Sequence, residues 1–202
     1  MNKKIILLSV LIVSMFLMPV GYAESESITQ FTFLDTITWD STPEDVEAVL
    51  GDGVQRTEQT DESIGTITML QKDDTIFAGL NCKRIMIFYY NSKLYTIGCS
   101  YAEADVGDPD ALIQGMTKIY GTPNMYASGQ YTLDDLASGT KTLCDWVIAE
   151  DTVIKVVEVN DEHAIIPREE KSPYLYIILF ENTTVKNQLK EALSKSETEA
   201  EK

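Results

Sequence analysis

The chain has little of the chemistry on which most enzyme active sites depend. Its 202 residues include one histidine, His163, and three cysteines. It has no G-x-S-x-G motif and no recognisable cysteine nucleophile motif, and His163 lies in a polar stretch, so a serine or cysteine triad is not supported. The C-x-x-C spacing of zinc sites, the phosphate-binding glycine loop and the dinucleotide fingerprint are also missing. The sequence therefore predicts no catalytic residues, no metal and no cofactor.

Positive charge is also scarce. The chain has 16 Lys and Arg residues against 32 Asp and Glu residues, which gives a net charge of −16. Such a chain is repelled by nucleic-acid phosphates and by anionic membranes, so we expect neither as a partner. The acidity favours a basic protein as partner. The alternative is that it only keeps an exported protein soluble.

The first apolar stretch, residues 5–18, is shorter than the ~20 residues that a membrane-spanning helix needs. Two lysines precede it and the small-x-small sequence Gly21-Tyr22-Ala23 follows, so residues 1–23 are predicted to be a cleaved signal peptide. The first cysteine after that point is Cys82, which argues against lipid attachment. We therefore expect a secreted or extracytoplasmic protein without stable membrane insertion. An uncleaved anchor is the alternative.

One helix pattern occurs twice in the chain. Each copy has a polar capping residue, a proline at the first helical position, a short apolar stripe and a terminal glycine. The predicted caps are Thr42 and Asp108, and a capping box of Ser41 and Glu44 is the alternative in the first copy. Repetition of this pattern predicts a repeated helix-plus-strands unit.

Three predicted strands follow each helix. The sequence therefore predicts an α+β fold of two tandem repeats, each a helix plus a three-stranded antiparallel sheet. The repeats cover residues 24–106 and 107–181, and a C-terminal helix with an acidic polar tail covers residues 182–202. The predicted helices are residues 42–50 and 109–120, and the predicted strands are residues 64–71, 83–90, 94–101, 142–149, 152–159 and 174–181.

These strands are apolar on both faces. A two-residue turn at Asn91 and Ser92 would set the pairing of the flanking strands and so assign each side chain to a face. One face is aliphatic and carries the small residues Thr96 and Gly98, so we expect the helices to pack there. The other is aromatic and is the predicted partner-binding surface. That surface comprises Phe88, Tyr90, Tyr95, Tyr101 and Tyr176. Two alternatives are that the aromatic side is simply core and that the C-terminal helix covers it.

The three cysteines permit at most one disulfide within the chain. In an exported protein an odd number leaves at least one thiol free or paired between chains. The predicted pairing places Cys82 and Cys99 on one face but diagonally, at about 7–8 Å, so a bridge would need a shifted turn. If present, it would contribute about 3 kcal/mol by chain entropy. Cys144 is expected to be a buried free thiol.

Carboxylates offer the remaining alternative chemistry. Asp105, Asp108 and two neighbours cluster before the second helix, but their spacing is not that of an EF-hand loop. Asp108 is already explained as a helix cap. A pair of carboxylates for glycoside hydrolysis depends on a three-dimensional separation that no motif here specifies.

The stretch from Trp39 to Gly51, with the strands that follow it, resembles the helix-plus-antiparallel-sheet repeat of β-lactamase-inhibitor-protein-like domains. The turns Leu50-Gly51 and Tyr120-Gly121-Thr122-Pro123 are also similar to those of the small lipoprotein of the outer-membrane barrel-assembly machine. The resemblance covers roughly residues 31–181. It implies a non-enzymatic binding protein, and the inhibitor-like kind grips its target with a concave, aromatic-rich sheet.

We therefore expect an exported, non-enzymatic protein-binding or inhibitor-like module of the bacterial cell envelope or exterior. The alternatives are a structural or small-ligand-binding envelope domain and a carboxylate-based hydrolase. An open aromatic sheet face would favour the first, a closed pocket the second, and converging carboxylates in a cleft the third.

Overall fold

The computed structural model describes residues 37–77, 80–126, 140–159 and 175–200. Within these residues the predicted α+β class is confirmed by one antiparallel sheet and four helices. The predicted signal segment and the stretch around His163 lie outside the described residues. The helices are α1 Pro43–Leu50, α2 Glu103–Val106, α3 Pro109–Tyr120 and α4 Thr183–Ala200. The strands are β1 Gln55–Asp61, β2 Gly65–Phe77, β3 Leu80–Tyr90, β4 Lys93–Tyr101, β5 Met125–Tyr126, β6 Thr140–Ala149, β7 Thr152–Val159 and β8 Tyr176–Asn182.

The strands form one sheet in the order β1-β2-β3-β4-β8-β7-β6-β5. The two predicted three-stranded sheets are therefore not confirmed, because the sheet is larger and continuous. Strands β1–β4 make one half and β5–β8 the other, and the halves join where β4 pairs with β8. Hydrophobic periodicity did not predict β1 because all seven of its side chains are polar and exposed. It did not predict β5 because that strand has two residues.

Helices α1 and α3 begin and end as their sequences predict. Thr42 caps α1 and forms a capping box with Asp45, rather than the alternative box of Ser41 and Glu44. Asp108 caps α3, where its side chain accepts from the backbone N–H of Asp110. Both helices end at a glycine with positive φ, 70° at Gly51 and 80° at Gly121.

The main core lies between these two helices and one face of the sheet, which we call the core face. Val46 and Leu50 of α1 and Leu112 and Met116 of α3 point into it. Trp146 on β6 is 1% exposed. Its indole N–H donates to the carbonyl of Gly121 at 2.7 Å and so ties the end of α3 to the sheet. The other core-face residues include Ile85, Ile87, Tyr89, Leu94, Ile97, Cys99, Tyr101, Tyr176, Ile178 and Phe180.

A β-bulge in β4 changes which side chains share that face. The turn at Asn91 and Ser92 has positive φ at both residues and pairs Tyr89 with Leu94, as the sequence predicts. The next paired residues are Phe88 and Thr96, so Tyr95 is an extra residue. Beyond it every β4 side chain lies on the face opposite to the predicted one, because side chains alternate with a period of two.

This register corrects the predicted division into an aromatic and an aliphatic face. Ile97, Cys99 and Tyr101 join Ile85 and Ile87 on the core face. Thr96 and Gly98 lie on the other face, which we call the outer face. Helices α1 and α3 therefore do not pack over Gly98. A Cβ at Gly98 would instead meet the side chain of Leu179 from β8 at 3.4 Å.

Candidate partner-binding surface

The five predicted partner-binding residues are divided between the two faces. Tyr101 and Tyr176 are directly opposite each other on β4 and β8, and they are 0% and 6% exposed in the main core. For these two residues the alternative reading, that the aromatics are core, is the one the structure supports. Burial raises the pKa of the Tyr101 hydroxyl well above its ordinary value, because the ionised phenolate would lose its hydration. Neither residue is placed to contact a partner.

Tyr90 lies on the outer face but beneath α4. It packs with Val185 and Leu189 of that helix. Its hydroxyl donates to the carbonyl of Ile64 at 2.8 Å. The predicted alternative, a C-terminal helix covering the aromatic side, therefore applies to Tyr90 and in part to Tyr95, which packs against the same cluster.

Phe88 and Tyr95 remain half-buried on the outer face. Their ring centroids are 6.2 Å apart, with an angle of 43° between the ring planes. The bulge brings them together, because as an extra residue Tyr95 stays on the face of Phe88 while the rest of β4 changes side. Burial raises the pKa of the Tyr95 hydroxyl, so this side chain enters any contact as a neutral phenol at physiological pH.

These two rings belong to a broader apolar surface. Met69 pairs with Phe88 across β2 and β3, and Met86, Gly98 and Leu179 lie in one row across β3, β4 and β8. The side chains on this surface are half-buried. We call it the outer apolar surface, and it comprises Met69, Met86, Phe88, Tyr95, Ile177 and Leu179. Aromatic and methionine side chains of this kind are enriched where proteins contact partners.

Helix α4 borders this surface and is attached to the sheet at its first turn. The side chain of Asn182 accepts from the backbone N–H of Val185 at 3.1 Å, so Asn182 is the cap of α4. The neighbouring Glu181 has a side chain that is only 5% exposed, and it pairs with Lys155 of β7 and Lys186 of α4. Burial alone would raise the pKa of Glu181, but hydrogen bonds from the two lysines outweigh it and hold the pKa below its ordinary value.

This ion cluster has no counterpart in the sequence predictions. Lys155 and Glu181 each interrupt an otherwise apolar strand, at Val-Ile-Lys-Val-Val and Ile-Leu-Phe-Glu. Charged residues at such positions signal a buried pair, but they do not reveal which strands will be neighbours. Only the antiparallel pairing of β7 with β8 brings the two side chains together.

The acidic cluster before α3 has structural roles. Asp108 is the cap of α3, and Asp105 lies 3.6 Å from the amino group of Lys83. In the described ranges no three His, Cys, Asp or Glu side chains are grouped as metal ligands. The described lining of a 410 Å³ surface cavity along α3 comes from one side of that helix alone, namely Asp110, Ile113, Gln114, Thr117 and Lys118. The described residues of this groove do not form a set of converging polar groups around a small ligand.

Comparison with protein-family models, curated proteins and solved structures gives no match to this chain. Of the helices that the structure describes, none has the length and hydrophobicity to cross a membrane. The candidate site therefore rests on the geometry of the outer apolar surface.

Proposed function

We propose that this chain is a non-enzymatic protein-binding module and that its partner contacts the outer apolar surface. The observation that carries the proposal is the half-buried pair of rings at Phe88 and Tyr95. On the core face, α1 and α3 pack over the sheet, whereas on the outer face α4 packs over Tyr90, and Tyr95 packs against the edge of that cluster while staying half-buried together with Phe88. Half-buried aromatic anchors amid apolar neighbours are typical binding hot spots.

The proposed partner is an extracytoplasmic protein with basic groups around its contact site. The export part of the proposal rests on residues 1–23, and the basic partner rests on the net charge of −16. Charges of opposite sign accelerate association, and their effect weakens as salt screens them. We therefore expect the association rate to fall with rising ionic strength.

We also propose that the two halves of the sheet are tandem repeats of one helix followed by four strands. Helices α1 and α3 share a polar cap, a following proline and a positive-φ glycine stop. Each precedes a set of four neighbouring antiparallel strands, and the last strand of each set lies at the centre of the sheet. We include in this proposal the resemblance to β-lactamase-inhibitor-protein-like domains. The packing of α1 and α3 on one face of a single sheet supports it.

Site-specific photocrosslinking would test the binding surface. A photoreactive phenylalanine analogue at position 88 should capture a partner among extracytoplasmic proteins of the source cells. The same analogue at Val49 serves as the matched control, since Val49 is 41% exposed and lies on α1, on the opposite side of the sheet. A crosslink from position 88 alone is the expected result.

The captured partner then allows a quantitative test. A double variant with Phe88→Ala and Tyr95→Ala should weaken its binding by about tenfold or more, because both anchors are lost. The variant Val49→Ala should bind as the unmodified chain does. Equal crosslinking from both positions, or unchanged affinity in a folded double variant, would overturn the proposal.

A further inference from the structure

Two of the three buried cysteines lie on neighbouring strands. Cys82 is on β3 and Cys99 on β4, and both are 0% exposed in the main core. The Cys82 thiol donates to the carbonyl of Arg84 at 3.3 Å, and Arg84 pairs in register with Ser100, the neighbour of Cys99. The thiols of Cys82 and Cys99 also hydrogen-bond to each other. Cys144 lies on β6, in the other half of the sheet.

The bulge places Cys99 one residue further from Cys82 along β3 than the expected diagonal pairing does. With the extra residue at Tyr95, Cys99 pairs with Ile85 on the core face. Cys82 lies beside it in the same cluster of buried residues. The structure thus describes two reduced, buried thiols in contact, and because Cys82 lies three residues along β3 from the position opposite Cys99, a disulfide forms when the backbone at the start of β3 shifts.

We propose that Cys82 and Cys99 are a site of reversible oxidation, at which an intrachain disulfide joins β3 to β4 while Cys144 stays reduced. The reaction is thiol–disulfide exchange with an external disulfide such as oxidised glutathione. Two S–H bonds are broken and one S–S bond forms between the cysteines. The external disulfide accepts the two electrons and two protons and leaves as two thiols.

The two cysteines have different roles in this exchange. The hydrogen bond from Cys99 lowers the pKa of Cys82, whereas burial raises the pKa of Cys99 well above its ordinary value. Cys82 also lines a surface cavity, so it is the thiol that attacks the external disulfide, and Cys99 then displaces the external thiol from the mixed disulfide. The reverse order would require an ionised Cys99 in the apolar core.

Cys82 is also the member of the pair nearer to an entry route. It lines a 280 Å³ cavity with other residues of the β2–β3 hairpin, including Thr75, its partner in β2, and Lys83. Since the Cys82 side chain is closed to solvent in the folded chain, exchange takes place when this hairpin opens or before the core closes. This oxidation is independent of the proposed partner binding, because both thiols lie in the main core and the partner is proposed to contact the outer apolar surface.

Thiol counting on the full chain tests the proposal. The reduced protein is incubated with oxidised glutathione, denatured, alkylated and measured by intact mass. One alkylated thiol should remain instead of three, and peptide mapping should place the bridge between Cys82 and Cys99. The oxidised protein should melt several degrees above the reduced one, and reductant should reverse the shift.

Matched variants assign the roles. Cys144→Ala should still lose both remaining thiols, whereas Cys99→Ala should accumulate a glutathione adduct at Cys82, since the resolving thiol is absent. A protein that keeps three alkylated thiols after oxidation, or a bridge that includes Cys144, would overturn the proposal. The mass measurement on the unmodified chain decides this even if a variant fails to fold.

Discussion

The amino group of Lys155 lies 2.8 Å from a carboxylate oxygen of Glu181, a side chain that is only 5% exposed. Lys186 of α4 pairs with the second oxygen of the same carboxylate. The cluster therefore joins β7, β8 and the first turn of α4. Because a buried charge is costly when it lacks partners, these three side chains depend on one another.

The variant Glu181→Gln should lower the free energy of unfolding by about 1–3 kcal/mol at pH 7, since it leaves two lysines without their shared carboxylate. Urea denaturation followed by circular dichroism measures the change. Glu150→Gln is the control, because Glu150 lies exposed in the turn between β6 and β7 and should change stability by less than about 0.5 kcal/mol. Equal effects in the two variants would contradict a stabilising role for the cluster.

The same carboxylate should make the fold sensitive to acid. Its pKa in the folded chain lies below the ordinary value of 4.5. As the pH falls below 4.5 the unfolded chain takes up a proton first, so the stabilisation is lost as the pH drops through the folded-state pKa. Unfolding free energies measured from pH 7 down to acid should fall more steeply for the unmodified chain than for Glu181→Gln. Parallel curves would refute this origin of the sensitivity.

The two tryptophans should differ in their contribution to stability. Trp146→Phe loses the hydrogen bond to Gly121 and leaves a void in the core, which should cost about 2–3 kcal/mol. Trp39→Phe loses a comparable hydrogen bond to Thr152, but Trp39 is only partly buried, so a smaller cost is expected. Chemical denaturation of both variants decides between them. A larger loss from Trp39→Phe would show that α3 is not held through Trp146.

Two single-residue deletions should distinguish the bulge from the regular strand. Leu94 and Thr96 already pair with the consecutive residues Tyr89 and Phe88 of β3, so deleting Tyr95 leaves a regular strand. We therefore expect a folded protein that is destabilised by about 1–2 kcal/mol. Deleting Gly98 forces either Ile97 or Cys99 from the core face to the outer face, and should cost at least about 4 kcal/mol. Thermal melting with circular dichroism compares the two. A Tyr95 deletion that is the more damaging would contradict the register described here.

Local patterns in the sequence predicted most of the secondary structure. The caps, prolines and terminal glycines of α1 and α3 act within a few residues, and each predicted strand corresponds to an observed one. Strand β1 was missed because its seven polar residues carry no hydrophobic alternation. Of the predicted partner-binding residues, Phe88 and Tyr95 share the outer face but Tyr101 does not. The reason is that Tyr95 is a bulge residue, so every later side chain of β4 points to the opposite face from the predicted one.

The sequence by itself determined the α+β class, the limits of the main helices and the hairpin turn at Asn91 and Ser92, since these depend on the backbone preferences of neighbouring residues. Only the tertiary structure decided that β4 and β8 join the strands into one sheet, that Tyr101 and Tyr176 are core, and that Phe88 and Tyr95 share the outer face. Those relationships are contacts between strands far apart in the chain, and periodicity along one strand carries no information about the register of the next.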